Sequence, residues 1–303
     1  MGVFERLVDR GLVPADLLAG QFRGRVLTLA RQLREGGLTG IARRSDEHLA
    51  QVAEGPLVAA KPGVLHPEGP LPPAFFAHLL GPAMLTGPWF ADGDDLRPAT
   101  AEQTALEFIV TRAGLVDGDR VLDLGGGLGA VALHAAARFR ECLVVTRCAN
   151  AHLAAHVTRQ AKQRGLLNLQ VVVSPLSKFR PEERFDRILA IEGTQRWLDH
   201  RRLLQRFETW LEPGGSLLLQ LPTHADVPHV LPLPPLDWLG EHMVPTWHLT
   251  TLEVLAQHLE GLRLQSWWHL PGTYFARTLQ AHLEHLNNRQ VAIDEQLRKA
   301  FGP

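Results

Sequence analysis

Apolar residues recur at intervals of three and four over residues 3–42, which predicts a helical segment in which Pro14 begins a new turn. Proline and glycine then dominate residues 55–98, which predicts a loop-rich connection around one short helix that starts at Pro72. We therefore expect residues 1–100 to form a helical and loop-rich cap.

The pattern changes over residues 101–222, where short apolar runs alternate with amphipathic stretches of helical period. Strands that alternate with helices indicate βαβ units and a parallel sheet. The expected fold class is therefore α/β, with a doubly wound and mostly parallel sheet. The predicted strands are residues 120–124, 142–146, 169–173, 185–191 and 216–221.

Residues 223–303 predict a less regular region on the substrate side of the core. The proline-rich stretch 223–238 predicts irregular structure, and residues 249–259 have a helical period. The apolar stretch 262–270 predicts a sixth strand, and the polar stretch 278–300 predicts one final helix.

Composition and charge exclude several classes of protein. The 31 basic residues are balanced by 32 acidic ones, so no nucleic-acid-binding field is expected. The 2 cysteines cannot form a disulfide framework or a four-ligand zinc site. No apolar run has the length of a signal peptide or a spanning helix, so we expect a soluble, cytoplasmic protein without a transmembrane segment.

The candidate chemistry lies in a glycine-rich loop, Asp-Leu-Gly-Gly-Gly-Leu-Gly at residues 123–129, between the first predicted strand and the next helix. Glycines let the backbone approach a ligand, and the helix N-terminus offers N–H groups to it. A dinucleotide site or a ligand-free turn would give a similar pattern. Asp123 likewise either orients the loop for a cofactor or only accepts backbone hydrogen bonds.

Other segments add a resemblance to known families. The acid before the loop, the Phe-Asp strand at residues 185–188 and the Leu-x-Pro-Gly-Gly turn at residues 211–215 resemble class I S-adenosylmethionine-dependent methyltransferases. The segments VDRGLVPADLLAG, PPAFFAHLLGPAM, FDRILAIE and GTYFARTLQAHLEHLNNR look like those of the coclaurine N-methyltransferase and cyclopropane-fatty-acid synthase family. The resemblance implies a Rossmann-like methyltransferase fold, S-adenosyl-L-methionine as cofactor, and a small amine or unsaturated fatty-acyl chain as substrate.

The resemblance places cofactor-binding residues at five positions: Asp123, Gly125, Gly127, Gly129 and Asn150. Two family positions have changed in the loop, where Gly126 replaces a cysteine and Leu128 replaces a tryptophan. The acid that holds the ribose in most methyltransferases falls at Ala149. The Ala-Asp that contacts the adenine falls at Ser174 and Pro175, and a proline has neither an acceptor side chain nor an N–H.

On the acceptor side, the resemblance leaves Glu192 as the one catalytic candidate. The family's glutamate and histidine that hold and deprotonate an amine fall at Gln195 and Arg196, neither of which can accept the proton. Leu85 and Phe275 stand where the family has tyrosines, in a chain with 7 tryptophans and 1 tyrosine. Glu192 can equally cap the following helix.

Histidine and tryptophan pairs have structural alternatives. His152 and His156 have a metal-binding spacing but no third ligand, so we expect a solvated helix face and no metal, and the same for His282 and His285. The pair at residues 267–268 either lines an amine-binding pocket or packs in a strand core.

The sequence is consistent with two functions. The first is an S-adenosylmethionine-dependent methyltransferase acting on a small amine or an unsaturated fatty-acyl chain. The alternative is a non-catalytic methyltransferase-fold protein, a pseudoenzyme that binds or regulates a partner such as an active paralogue, as a homo- or hetero-oligomer.

Overall fold

The computed structural model describes residues 14–58, 66–87, 97–191, 193–231 and 247–302. Its described residues form two compact units. The first comprises the N-terminal region to His66 with Gln195–His200 and Pro222–Gln257, and the second comprises Pro67–Thr194, Arg201–Leu221 and the C-terminal region from His258.

Ten α-helices lie within the described residues: α1 Ala15–Arg34, α2 Gly37–Glu54, α3 Pro73–Leu79, α4 Pro98–Arg112, α5 Ala130–Arg138, α6 Ala151–Gln163, α7 His200–Trp210, α8 Leu252–Gln257, α9 Gly272–Asn288 and α10 Gln290–Phe301. Residues Thr194–Arg196 form a 3-10 helix before α7. Seven strands lie there too: β1 Arg120–Asp123, β2 Leu143–Cys148, β3 Leu169–Val173, β4 Phe185–Ile191, β5 Leu211–Gln220, β6 His229–Leu231 and β7 Trp247–Leu249.

The second unit is built on a five-stranded parallel sheet in the order β3-β2-β1-β4-β5. The two strands beside β1, β2 and β4, are mostly buried and rich in valine, leucine and isoleucine, as expected where helices cover both faces of a parallel sheet. The strand order reverses between β1 and β4, and ligands of such sheets bind beyond the carboxyl ends of the strands at this point. The predicted α/β fold and its five strands are confirmed.

The first unit combines α1 and α2 with the two-stranded antiparallel sheet of β6 and β7. Leu29 and Leu33 of α1 pack with Val227 in a small apolar cluster. Arg34 forms an ion pair with Asp226 at 3.1 Å. From residue 14 onward the expected helical N-terminal segment is therefore present, as two helices that separate at the left-handed Gly36, while its residues 3–13 lie outside the described residues.

Three expectations about the C-terminal third are wrong. Residues 262–270 form no strand, because their side chains are mostly exposed and no neighbouring strand pairs with them among the described residues. The final helix is two helices, since Arg289 leaves the helical conformation at φ −124°. The stretch 223–238, expected to be irregular, contains β6.

The residues that the structure describes include no helix with the length and apolar character needed to cross a membrane.

Candidate functional site

The glycine-rich loop joins β1 to α5 at the carboxyl edge of the sheet. Gly126, Gly127 and Gly129 have φ of 51°, 46° and 86°, in the left-handed region that favours glycine. A Cβ on Gly125 would overlap the carbonyl oxygen of Ile191, and one on Gly126 would overlap that of Arg147. The cysteine that the family resemblance would place at Gly126 cannot be accommodated in this loop conformation.

Asp123, at the end of β1, is buried and holds the glycine loop through hydrogen bonds of its carboxylate. Its carboxylate accepts hydrogen bonds from Thr146 Oγ1 at 2.9 Å and from the Gly126 N–H at 3.3 Å. Burial raises the pKa of Asp123, and these hydrogen bonds oppose that shift. The first contact joins the end of β1 to β2 and the second joins the loop to Asp123, which is a structural role whether or not a ligand is present.

Arg147, near the end of β2, is a residue of this site that the sequence did not predict. Its side chain is only 1% exposed, and its Nε donates to the Leu124 carbonyl at 3.0 Å. Its Nη1 donates to the Ser174 carbonyl at 3.1 Å, and its Nη2 pairs with Glu68 Oε1 at 2.7 Å. One guanidinium therefore connects the carboxyl ends of β1, β2 and β3. The available signal was a single arginine inside the apolar run of β2.

The other candidate cofactor residues lie along the same edge. Asn150 precedes α6, and its Oδ1 accepts a hydrogen bond from the Leu153 N–H at 3.0 Å, which caps the helix. Ser174 follows β3, and its hydroxyl donates to the Pro175 carbonyl. The loop glycines, Asp123 and Asn150 are thus brought together by β1 and β2.

A second loop is fixed by a buried carboxylate. Glu102 of α4 accepts hydrogen bonds from the Ala83 and Leu85 N–H groups, both at 2.7 Å. Burial raises the pKa of Glu102, while the two N–H groups lower it. Met84 between them has a φ of 58°, which is unusual for a residue with a side chain. Glu102 therefore holds this loop in a conformation that buries Leu85.

The candidate catalytic residue Glu192 and the side chain of Gln195 lie outside the described residues. Arg196 is described and buried. Its guanidinium stays protonated at ordinary pH, so it cannot replace an imidazole as a base.

Two expectations for the histidines are wrong. His156 and His282 are buried, so these two rings do not lie in solvent. Burial lowers the pKa of His156, and it lowers that of His282 to about 4. The expectation holds for His152, which is exposed. Within the described residues, no group of three potential ligands is arranged to hold a metal.

The tryptophan pair does not pack in a strand core, because Trp267 is 60% and Trp268 40% exposed. The Trp268 ring lies 4.5 Å from the Arg112 guanidinium, which also lies 5.1 Å from the Phe108 ring. The cation–π contact is therefore made with a residue of the chain itself.

The sequence of this chain matches a protein-family model and known enzymes. The family model described as mycolic acid cyclopropane synthetase matches residues 71–301. The (S)-coclaurine N-methyltransferase of Papaver somniferum is 28% identical over 201 residues, which cover 65% of this chain and 57% of that protein. The chain thus spans a little more than half the length of this curated relative.

Two solved structures share the fold. A coclaurine N-methyltransferase bound to N-methylheliamine and SAH superposes with a TM-score of 0.83 at 22% identity, covering 93% of this chain and 81% of that one. A cyclopropane synthase from Mycobacterium tuberculosis has a TM-score of 0.64 at 23% identity, covering 76% and 85%. Because the family model matches well over half of the residues, the chain belongs to the mycolic acid cyclopropane synthetase family of S-adenosylmethionine-dependent methyltransferases.

Proposed function

We propose that this chain transfers a methyl group from S-adenosylmethionine to a small amine or an unsaturated fatty-acyl chain. The observation that carries the proposal is the glycine loop, which lies at the carboxyl end of β1 beside the point where strand order reverses. The family match, which includes this loop, supports the same function.

The loop fits the cofactor on two counts. A Cβ on Gly127 would meet no atom closer than 3.7 Å, so there is room beside this glycine. Helix α5 begins without a side-chain cap hydrogen bond, and uncapped N–H groups at a helix start suit a polar ligand. We propose that the cofactor is held by the set Asp123, Gly125, Gly127, Gly129 and Asn150.

The cofactor supplies a methyl group already activated on a sulfonium, so the protein has mainly to position the acceptor. Glu192 is the proposed catalytic residue, which would hold the acceptor amine through its carboxylate. With Gln195 and Arg196 unable to take a proton, we expect the chain to favour acceptors that reach the site already deprotonated or that carry no proton to lose.

Isothermal titration calorimetry with S-adenosylmethionine and S-adenosylhomocysteine tests the proposal. We expect micromolar dissociation constants, and no binding of either compound at millimolar concentration would overturn it. A matched pair of variants locates the site, since Gly127 and Gly165 are both left-handed with room for a methyl group. Gly127→Ala should weaken binding at least tenfold, whereas Gly165→Ala carries the same backbone strain and should not.

The second candidate function is a non-catalytic, partner-supporting protein. The specific observation that favours it is Arg196, a buried cation at the position where the resemblance places the imidazole base. Here cofactor binding would persist without turnover. Mass spectrometry after incubation with S-adenosylmethionine, a panel of secondary and tertiary amines, and vesicles of monounsaturated phospholipid separates the two, since a product mass gain of one methyl or methylene group excludes this candidate.

A further inference from the structure

The carboxyl end of β2 has no carboxylate at Ala149, where most S-adenosylmethionine-dependent methyltransferases have the ribose-binding acid. In the N-methyltransferase branch that the chain resembles, an asparagine and a glutamine serve that region instead, and this chain keeps only the asparagine, as Asn150, with Ala154 in place of the glutamine. Ala149 follows the strand directly, and Asn150 spends its Oδ1 on capping α6. A ribose presents two vicinal hydroxyl donors, and an ionised carboxylate is the acceptor that pairs most strongly with them. An acid that pairs with the ribose of a cofactor bound here would therefore have to come from elsewhere in the chain.

The structure brings Glu68 to the carboxyl end of β2. Glu68 lies before α3, and its Oε1 is 2.7 Å from Nη2 of Arg147, one residue from the end of β2. Its side chain is 8% exposed, so the carboxylate is held among protein atoms at the strand end. The two residues are 79 positions apart in sequence and belong to the same compact unit.

Arg147 holds that carboxylate in a fixed place. Its guanidinium is anchored by the Leu124 carbonyl on one side and the Ser174 carbonyl on the other. These carbonyls immediately follow β1 and β3, so the guanidinium cannot rotate without losing contacts at both ends. The orientation of Glu68 therefore follows from the sheet itself.

The charges support the same conclusion. A buried arginine beside a cationic sulfonium would oppose binding, and its own desolvation is costly unless it is paired. Glu68 balances the charge of Arg147, and a carboxylate offers about four acceptor positions on its two oxygens.

We infer that Glu68 is a cofactor-binding residue that replaces the acid absent at Ala149 and accepts hydrogen bonds from the ribose hydroxyls of S-adenosylmethionine. Arg147 is its positioning residue. This inference rests on the proposed function, because it concerns the same cofactor.

Binding calorimetry with two ligands tests it: S-adenosylhomocysteine and its 2′,3′-dideoxyribose analogue. The wild-type protein should bind the hydroxylated ligand at least tenfold more tightly, and Glu68→Gln should bind both with similar affinity. Glu182→Gln, which removes an exposed acid of the same unit, should keep the wild-type preference. A purely structural role for Glu68 would lower both affinities together and leave their ratio unchanged, which would overturn the inference.

The outcomes separate this inference from the function on which it rests. No binding of S-adenosylhomocysteine by the wild type overturns the proposed function and the inference with it. Wild-type binding with an unchanged preference in Glu68→Gln overturns the role of Glu68 alone. If Glu68→Gln does not fold, as circular dichroism would show, Glu68→Asp retains the charge with a shorter reach and should reduce the preference severalfold; a full preference in that variant would contradict the role.

Discussion

Two buried polar clusters in this chain deal with the loss of water in opposite ways. In the second unit, Arg147 and Glu68 form an ion pair with an N···O distance of 2.7 Å. In the first unit, His48 and His248 bring their Nε2 atoms to the same distance of 2.7 Å without any acid in the contact. The Arg147–Glu68 pair balances a buried positive charge with a buried negative one, whereas the His48–His248 pair contains no charge.

The imidazole cluster extends beyond this pair. The ring centroid of His248 is 4.7 Å from that of His48 and 4.4 Å from that of His200. Burial lowers the pKa of His48 and that of His248 to about 4, and His229 adds to both shifts. Both rings are therefore neutral at pH 7. With Nδ1 of His248 3.3 Å from the Trp197 carbonyl and donating to it, His48 is the Nε2–H donor of the pair.

The two clusters lose stability under different changes. A buried ion pair depends on both partners, because removing one leaves the other charged and desolvated. A neutral imidazole pair depends on pH, because a proton from solvent turns an acceptor into a buried cation. The stability of the Arg147–Glu68 pair is therefore sensitive to mutation of either residue, and the stability of the His48–His248 pair is sensitive to acid.

The largest expected effect comes from breaking the charged cluster. Arg147→Met removes the guanidinium that pairs with Glu68 and that the Leu124 and Ser174 carbonyls accept from, so we expect the free energy of unfolding to fall by about 3–5 kcal/mol. Urea unfolding monitored by tryptophan fluorescence measures it. The double variant Arg147→Met/Glu68→Gln should recover part of the loss, and a double variant no more stable than the single one would show that the ion pair is not the cause.

The sequence could not reveal either cluster. The parallel sheet was predictable because its strands are local apolar runs separated by helical periods, as in Leu143–Cys148. The glycine loop was predictable because a strand-to-helix turn needs left-handed residues at fixed places. Arg147 and Glu68, however, are 79 residues apart, and His48 and His248 are 200 apart. Contacts of that separation leave no periodic trace in one sequence.

The sequence was misleading where local propensity lacked a partner. Residues 262–270 have the apolar and aromatic content of a strand, yet a strand forms only where a neighbouring ladder accepts it, and the described structure offers none there. His156 was expected on a solvated face because its metal-like spacing with His152 found no third ligand. The spacing did not show that one of the two rings faces the core.

The imidazole pair should make the free energy of unfolding depend on pH. The pKa of an unfolded histidine is about 6.5, so between pH 6.5 and about 4 the unfolded chain binds more protons than the folded one. The free energy of unfolding therefore falls as the pH falls through this window, by about 1.4 kcal/mol per pH unit for each imidazole. Above pH 6.5 this contribution is constant.

A double variant isolates the pair from the other buried histidines, including His200 and His229, which face it. His48→Gln/His248→Gln keeps a neutral hydrogen-bonding pair but removes both titrations, so its plot of unfolding free energy against pH should be shallower by about 1.4 kcal/mol per pH unit for each proton lost. His152→Gln, which removes an exposed ring, should leave the slope unchanged. Equal slopes in the double variant and the wild type would contradict the assignment.

The smallest change in the free energy of unfolding is expected at an exposed ion pair that resembles the Arg147–Glu68 pair only in its N···O distance. Arg43 and Glu47 are one turn apart on α2, with an N···O distance of 2.8 Å, but their side chains are 64% and 59% exposed. Water already solvates both charges, so Arg43→Gln, which has nearly the same helix propensity, should change the free energy of unfolding by less than about 0.5 kcal/mol. Urea unfolding at low and at 1 M salt measures it, with little change expected. A loss as large as that of Arg147→Met would mean that contact distance, rather than removal from water, sets the cost of breaking an ion pair in this protein.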